Sequence, residues 1–184
     1  MMIRSISAVA LLALALPIVP RAQMVMPAGG QMPAAPAGPA GETLASYNRL
    51  KPNIIKAAEK MPEEDYQFKP TPGERVFARV VNHVTEAQMS TCSALNGGTF
   101  DKTRVPADSA SKADVIAGLK ASFDECDKAY AALTDANILE PVGPRKRTRM
   151  AMAWGNISHD NEQYAEMSGY MRLKGVNPPT APEM

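Results

Sequence analysis

The sequence has few aromatic residues, no excess of charge of either sign, and very little histidine or cysteine. Phe, Trp and Tyr make up 5% of the 184 residues, which disfavours a sheet, because sheets use aromatic and β-branched side chains. Lys and Arg total 20 against 19 Asp and Glu. Without a strong field of one sign, the chain is not expected to bind nucleic acid or an acidic membrane surface.

Helix-forming residues dominate what is present. Ala, Leu, Met, Lys and Glu are abundant, and these residues have high helix propensity. A chain of this length is near the size of one ordinary domain, with roughly 145 residues left for a core once a leader and a linker are set aside. We therefore predict an all-α fold in a single domain.

The beginning of the chain has the pattern of a targeting segment. Arg4 precedes an apolar run over 6–19, which is short for a transmembrane helix and typical of a signal peptide. We predict a signal peptide over 1–26 and an exported protein, periplasmic or secreted, with no stable membrane insertion after cleavage. An uncleaved N-terminal anchor is the alternative. The cleavage site is left open.

A linker is expected between this leader and the folded domain. Residues 27–41 consist mainly of Pro, Ala, Gly, Gln and Met without periodicity, a composition that buries too little apolar surface to fold. The domain itself is expected over 42–179, and residues 180–184 are expected to form a flexible tail.

Apolar residues recur at helical spacing in four segments of the domain. The first predicted helix covers 42–61, and Pro52 should kink or split it. The second is predicted to begin at the capping sequence Thr-Pro-Gly-Glu at 71–74 and to end near Asn96, before two glycines.

The third and fourth helices have clearer boundaries. Ser111, with Asp114 three residues later, is a capping pair for a helix that continues through Leu133. The fourth helix is predicted over 147–174, with Gly175 as its C-cap. Four amphipathic helices bury their apolar faces most simply against one another, as a four-helix bundle.

Both histidines of the chain fall on helical faces that can point into this bundle. His83 continues an apolar stripe of the second helix, and His159 lies four residues before Gln163 on the fourth. Residues four apart share one face of a helix. Because neutral imidazole is a common ligand of zinc and nickel, these side chains form a candidate metal site.

Two motifs resemble one known family. FARVVNHVTEAQ at 77–88 resembles the second helix of the DinB superfamily, and HDNEQY at 159–164 with YMRLKGVNPP at 170–179 resembles that family's last helix and its ending. The similarity covers about 44–179. It implies a four-helix bundle with a long crossover and, in many members, a metal held by three histidines, one on the second helix and two spaced four apart on the fourth.

The resemblance assigns the ligand positions residue by residue. His83 and His159 match the first two ligands, and Gln163 stands where the third histidine is expected. An amide oxygen is a weaker ligand than imidazole, so the site is expected to bind a divalent metal weakly or to be a vestigial polar pair within the core. Four acidic residues near these positions are alternative ligands: Glu86, Asp160, Glu162 and Glu166.

The only two cysteines, Cys92 and Cys126, fall on the inner sides of different helices. In an exported protein an even pair favours a disulfide, and two buried free thiols are the alternative. A catalytic thiol is not expected, since no basic residue stands at a predictable distance from either cysteine.

Two further groups of residues have more than one interpretation. The basic cluster Arg145, Lys146, Arg147 and Arg149 is expected to be a solvated face, with a phosphate or nucleic-acid contact as the alternative. The aromatic side chains of the fourth helix can line a pocket near the histidines or simply pack in the core: Trp154, Tyr164 and Tyr170.

Two classes of function follow. The first is a binding or envelope module of the exported bundle, with a degenerate metal site of His83, His159 and Gln163 and a small molecule as a conceivable ligand. The second, which the family resemblance implies, is a divalent-metal-dependent enzyme of the DinB type, a thiol-dependent transferase or isomerase or a hydrolase. The sequence identifies no catalytic residue or substrate. Bundles of this type can also pair as homodimers through a helix face.

Overall fold

The computed structural model describes residues 38–182, so the expected signal peptide, most of the expected linker and the last two residues lie outside the described part of the chain. Four long helices account for most of the described residues: α1 Gly38–Lys60, α2 Phe77–Leu95, α3 Lys112–Ala131 and α4 Arg149–Leu173. Two short 3₁₀ turns, Glu63–Asp65 and Lys102–Arg104, lie in the connections. The predicted all-α class fits this architecture.

A small hairpin precedes the last helix. Its strands, β1 Pro141–Val142 and β2 Arg147–Thr148, are antiparallel, with Val142 opposite Arg147. The backbone N–H of Lys146 donates to the carbonyl of Gly143 and closes the turn. The fourth helix, predicted from 147, begins two residues later at Arg149, because β2 occupies 147–148 and Thr148 is the N-cap.

The helices pack so that consecutive elements are not all neighbours. α2 packs on α3 and α4, and α1 packs on α4 and α3, which leaves α1 and α2 diagonally opposed. The core between them consists of apolar and aromatic side chains from all four helices, with the largest fully buried ones being Tyr47, Tyr130, Phe77, Phe123, Ile54, Met89, Leu119, Met167 and Met171. A disulfide between Cys92 and Cys126 joins α2 to α3.

α1 begins four residues before the expected start and is not split. Residues 38–41, assigned to the linker by composition, are helical because the Asp135 carboxylate accepts a hydrogen bond from the Ala40 N–H at 2.9 Å. A side chain on Gly38 would collide with that same carboxylate. Of the two effects expected of Pro52, a kink or a split, the split is wrong, since the helix is continuous through this exposed residue.

The predicted start of α2 at 71–74 is also wrong. Those residues form a turn, in which the Glu74 N–H donates to the Thr71 carbonyl, and the helix begins only at Phe77. The first free N–H groups of α2, those of Phe77 and Ala78, donate at 2.9 Å to the carbonyls of Phe68 and Tyr66 in the connection from α1. Backbone groups from this connection therefore replace the side-chain cap that the sequence suggested.

The other capping predictions are confirmed. The Ser111 hydroxyl accepts a hydrogen bond from the Asp114 N–H at the start of α3, although that helix ends at Ala131 rather than Leu133. At the end of α4, Gly175 adopts φ +71°. The Val176 N–H donates to the Met171 carbonyl at 2.8 Å, the hydrogen bond of a Schellman C-cap.

The C-terminal end of the described chain contacts α4. Thr180 falls in the expected flexible tail, yet its hydroxyl lies 2.9 Å from the Tyr164 hydroxyl.

Among residues 38–182, no helix is both long enough and apolar enough to cross a membrane.

Candidate functional site

The two histidines come together between α2 and α4. Their ring centroids lie 4.8 Å apart, with the ring planes at 72°. His83 is one-third exposed and His159 one-quarter exposed, so the pair lies at the edge of the core. Because α2 and α4 pack directly against each other, the bundle holds both rings at one place despite their separation in sequence.

A carboxylate and an arginine support His83 on its own helix. Nδ1 of His83 lies 3.5 Å from Oε2 of Glu86, and Arg79 donates two hydrogen bonds of 2.9 Å to the Glu86 carboxylate. Burial lowers the pKa of His83, and the nearby His159 and arginines lower it further, while Glu86 partly opposes them. His83 is therefore neutral near pH 7, the form in which imidazole binds metals.

His159 lacks hydrogen-bond partners of its own. Both of its ring nitrogens are buried and have no hydrogen-bond partner among the described residues. Nδ1 lies 3.5 Å from Oδ1 of Asp160, and this contact does not have hydrogen-bond geometry. Leaving buried polar atoms unpaired costs about 1–3 kcal/mol each, so such atoms point to a ligand, an ion or water in the folded protein.

Gln163 is also buried, with 3% of its surface exposed, and its side-chain oxygen has no hydrogen-bond partner among the described residues. It lies one turn beyond His159 on the same face of α4. Two imidazoles and an unpaired amide oxygen fit a divalent metal, although no group of three or more His, Cys, Asp or Glu side chains among residues 38–182 is placed to hold one. Metal binding itself stays a prediction.

The acidic residues near the site have other partners or lie elsewhere. Glu166 pairs with Arg75 at 2.9 Å, and Glu162 is exposed to solvent. Asp160 is 1% exposed, and burial raises its pKa to about 6, with His159 acting in the opposite direction. Glu86 and Asp160 therefore flank the two histidines rather than form a third ligand in this arrangement.

A cavity of about 230 Å³ opens beside His159. Its walls include Asn156 and Gly155 of α4, Thr91 of α2, and Arg147 of the hairpin. Asn156 donates to Oδ2 of Asp160 at 3.3 Å, and its own Oδ1 has no hydrogen-bond partner among the described residues. The cavity therefore has an unpaired polar atom in its wall close to His159.

Of the two alternatives for the aromatic side chains of α4, packing in the core or lining the pocket beside the histidines, the second is wrong. Trp154 and Tyr164 line a separate groove between α1 and α4, and the Tyr170 hydroxyl donates to the Arg75 carbonyl at 2.7 Å. His159 comes five positions after Trp154, and this spacing places the two side chains on different faces of a helix.

Two side chains that line the cavity beside His159 were not placed there from the sequence. Arg147 was expected on a solvated basic face, with a phosphate or nucleic-acid contact as the alternative, and Asn156 was not considered. The turn-forming residues Pro141, Gly143 and Pro144 were the available signal for a turn here. The hairpin that contains this turn brings Arg147 to the cavity. The sequence carried no comparable signal for Asn156.

The chain is similar to one protein family in sequence and to two solved structures in fold. Residues 47–167 match the family model described as the DinB superfamily. A DinB-like protein from Bacillus cereus ATCC 10987 is similar in structure, with a TM-score of 0.63 and 19% identity, covering 77% of this chain and 96% of that one. A DinB-like protein from Bacillus subtilis has a TM-score of 0.62 and 14% identity, covering 78% and 99%.

The two structural relatives share the fold, and the family match covers most of the bundle. Comparison with curated proteins finds no significant match. The resemblance seen in the motifs around His83 and His159 is thus confirmed by an independent sequence match and by structural similarity. The chain belongs to the DinB superfamily.

Proposed function

We propose that this chain is an exported binding module in which His83, His159 and Gln163 hold a divalent metal weakly. The observation that supports this function is the approach of the two rings to 4.8 Å, together with the unpaired nitrogens of His159 and the unpaired oxygen of Gln163. A donor set of two imidazoles and one amide suits zinc or nickel and is weaker than three imidazoles.

The protein's own contribution is to position and prepare these donors. Glu86, fixed by two hydrogen bonds from Arg79, can orient the His83 ring through Nδ1, as carboxylates behind metal-binding histidines do. The lowered pKa of His83 keeps its ring neutral. A bound metal would act as a Lewis acid toward an oxygen or sulfur atom placed beside it.

Metal titration tests this proposal directly. Calorimetric titration with zinc, nickel and manganese should show one site in the wild type, and its affinity should fall by at least about tenfold in His83→Ala and in His159→Ala. Asn161→Ala, an exposed change on α4, is the matched control and should bind like the wild type. Wild-type binding no tighter than about 1 mM would contradict the proposal.

A gain-of-function variant separates the metal site from a mere polar pair. Gln163→His restores the third histidine that the family pattern expects and should tighten zinc binding by about tenfold or more. Equal affinities of this variant and the wild type would show that position 163 does not face the metal.

A second function, a metal-dependent enzyme of the DinB type, is favoured by one observation. The cavity of about 230 Å³ beside His159 leaves room for a substrate next to the ligands. Cobalt-substituted protein offers a test, because a thiol cofactor that coordinated the metal would produce a thiolate-to-cobalt absorption band. Adding glutathione should give this band in a thiol-dependent enzyme and no band in a binding module.

Export is part of the proposal, and the disulfide between Cys92 and Cys126 supports it. Disulfides persist in oxidising compartments and are rare in the cytosol. Mass spectrometry of the protein purified from a periplasmic fraction or from culture medium should find a chain lacking about the first 26 residues. Recovery of the full-length chain from the cytosol alone would contradict export.

A further inference from the structure

A second, larger cavity lies between the hairpin and α2. This cavity, which we call the hairpin cleft, has a volume of about 420 Å³, and its lining includes Arg145, Arg147, Ser90, Thr91 and Met152. Three of these residues, Thr91, Arg147 and Met152, also line the cavity beside His159. The hairpin cleft therefore continues toward the histidine pair.

The charges along the cleft are positive and unpaired. Arg149, just outside it, pairs with Glu140, whereas neither Arg145 nor Arg147 forms a salt bridge with any residue in the described range. No Asp or Glu is among the residues that line the cleft. Two guanidinium groups without a carboxylate partner favour an anion in the space between them.

The guanidinium of Arg147, an exposed residue, contacts α4 through one of its nitrogens. One of its nitrogens, Nη2, donates to the Ala151 carbonyl at 2.8 Å. A methyl group placed on Gly155 would lie 3.3 Å from this nitrogen, so the glycine leaves the space in which the guanidinium rests against α4. Nε and Nη1 of Arg147 form no hydrogen bond with residues 38–182, so they can donate to a ligand.

We infer that the hairpin cleft binds a small molecule through an oxyanion group, a carboxylate or a phosphate. Arg147 and Arg145 bind the oxyanion, and the hydroxyls of Ser90 and Thr91 supply further hydrogen bonds. The rest of the molecule extends past Met152 toward His159. This inference rests on the proposed function only for that last point, since the oxyanion contacts lie on the hairpin and on α2.

Titration of metal-free protein tests the oxyanion site separately from the metal site. In the presence of EDTA and at low salt, inorganic phosphate and glutarate are titrated while backbone amide shifts of 90–94 and 142–152 are followed. Arg147→Gln should weaken binding by about tenfold, because it removes a charge-assisted pair. Arg104→Gln, a matched change at an exposed arginine outside both cavities, should change affinity by less than about twofold.

The two probes also distinguish the sources of the oxyanion. Weakening of both by Arg147→Gln supports a general oxyanion site, and weakening of one identifies the ligand as a phosphate or as a carboxylate. The inference would be overturned if the wild type bound neither probe at about 10 mM. It would also be overturned if Arg147→Gln and Arg104→Gln lost the same affinity.

A pair of glycine variants tests the role of Gly155 without removing a charge. Gly155→Ala should shift the Arg147 guanidinium by only a few tenths of an ångström, since the added methyl group would lie 3.3 Å from Nη2, and should weaken phosphate or glutarate binding by about twofold while α4 stays folded. Gly169→Ala is its control, because a methyl group there meets no atom within 4 Å. Equal binding by Gly155→Ala and Gly169→Ala would contradict a role for the contact between Arg147 and α4, and metal titration of the same variants shows whether the metal site fails independently.

Discussion

Asp160 is a carboxyl group in the interior of the bundle with incomplete hydrogen bonding. Asn156 donates to its Oδ2 at 3.3 Å, while Oδ1 has no hydrogen-bond partner among the described residues. Asn156 also lies 3.3 Å from the Tyr130 hydroxyl. Burial raises the pKa of Asp160 to about 6 because the charged form loses its hydration.

The raised pKa predicts a pH-dependent penalty for Asp160. The carboxyl group binds its proton more tightly in the folded protein than in the unfolded chain, where its pKa has the ordinary value of 3.8. Its contribution to stability therefore falls as the pH rises from about 4 to about 6. Asp160→Asn cannot ionise. The free energy of unfolding of the variant should therefore rise relative to that of the wild type across this pH range, and the difference should reach on the order of 3 kcal/mol above pH 7.

Urea unfolding of both proteins between pH 4 and pH 8, with EDTA present, measures this difference. Asp124→Asn on the exposed side of α3 is the control, since it removes a carboxylate without relieving burial. A difference between Asp160→Asn and the wild type that stays constant with pH would show that Asp160 is hydrated in the folded protein.

At the scale of single elements, α1 depends on a cap that comes from far along the chain. The Asp135 carboxylate lies in the connection after α3 and accepts the hydrogen bond of the Ala40 N–H. Asp135→Ala should lower the free energy of unfolding by about 1 kcal/mol, the usual effect of losing a helix cap. It should also speed hydrogen exchange in the first turn of α1.

Ser111→Ala is the matched control for this prediction. It removes the N-cap of α3 and should lower stability by a similar amount, about 1 kcal/mol, without speeding exchange in α1. If the two variants had the same exchange pattern, Asp135 would not be a specific cap of α1.

The helix boundaries show which information the sequence contains. Ser111 and Gly175 act locally, on N–H and carbonyl groups a few residues away, and their caps were predicted correctly. The starts of α1 and α2 depend on Asp135 and on the carbonyls of Phe68 and Tyr66. These partners are fixed only by tertiary packing, so propensity and capping rules misplaced both helix starts.

The candidate site divides in the same way. His83 and His159 were recognisable because the chain has no other histidines and because both stand in family motifs. The hairpin cleft could not be recognised from the sequence. Arg145 and Arg147 line it only because the hairpin packs near α2, and this position depends on tertiary structure.

At the scale of the whole molecule, the arrangement of helices explains where the site lies. α2 and α4 are neighbours, although α3 and the hairpin separate them in sequence. The 4.8 Å approach of the two rings therefore depends on the complete bundle. A change that loosens the packing of α2 should lower the free energy of unfolding and move the two rings apart.

The disulfide is the covalent part of that packing, because it ties α2 to α3. Cys92 and Cys126 are 34 residues apart, so by loop-closure entropy the bond should stabilise the fold by about 4 kcal/mol. The double variant Cys92→Ala/Cys126→Ala should lose this amount in urea unfolding. Dithiothreitol should bring the wild type close to the variant and leave the variant unchanged. Equal stability of the oxidised wild type and the variant would mean that helix packing alone holds α2 in place.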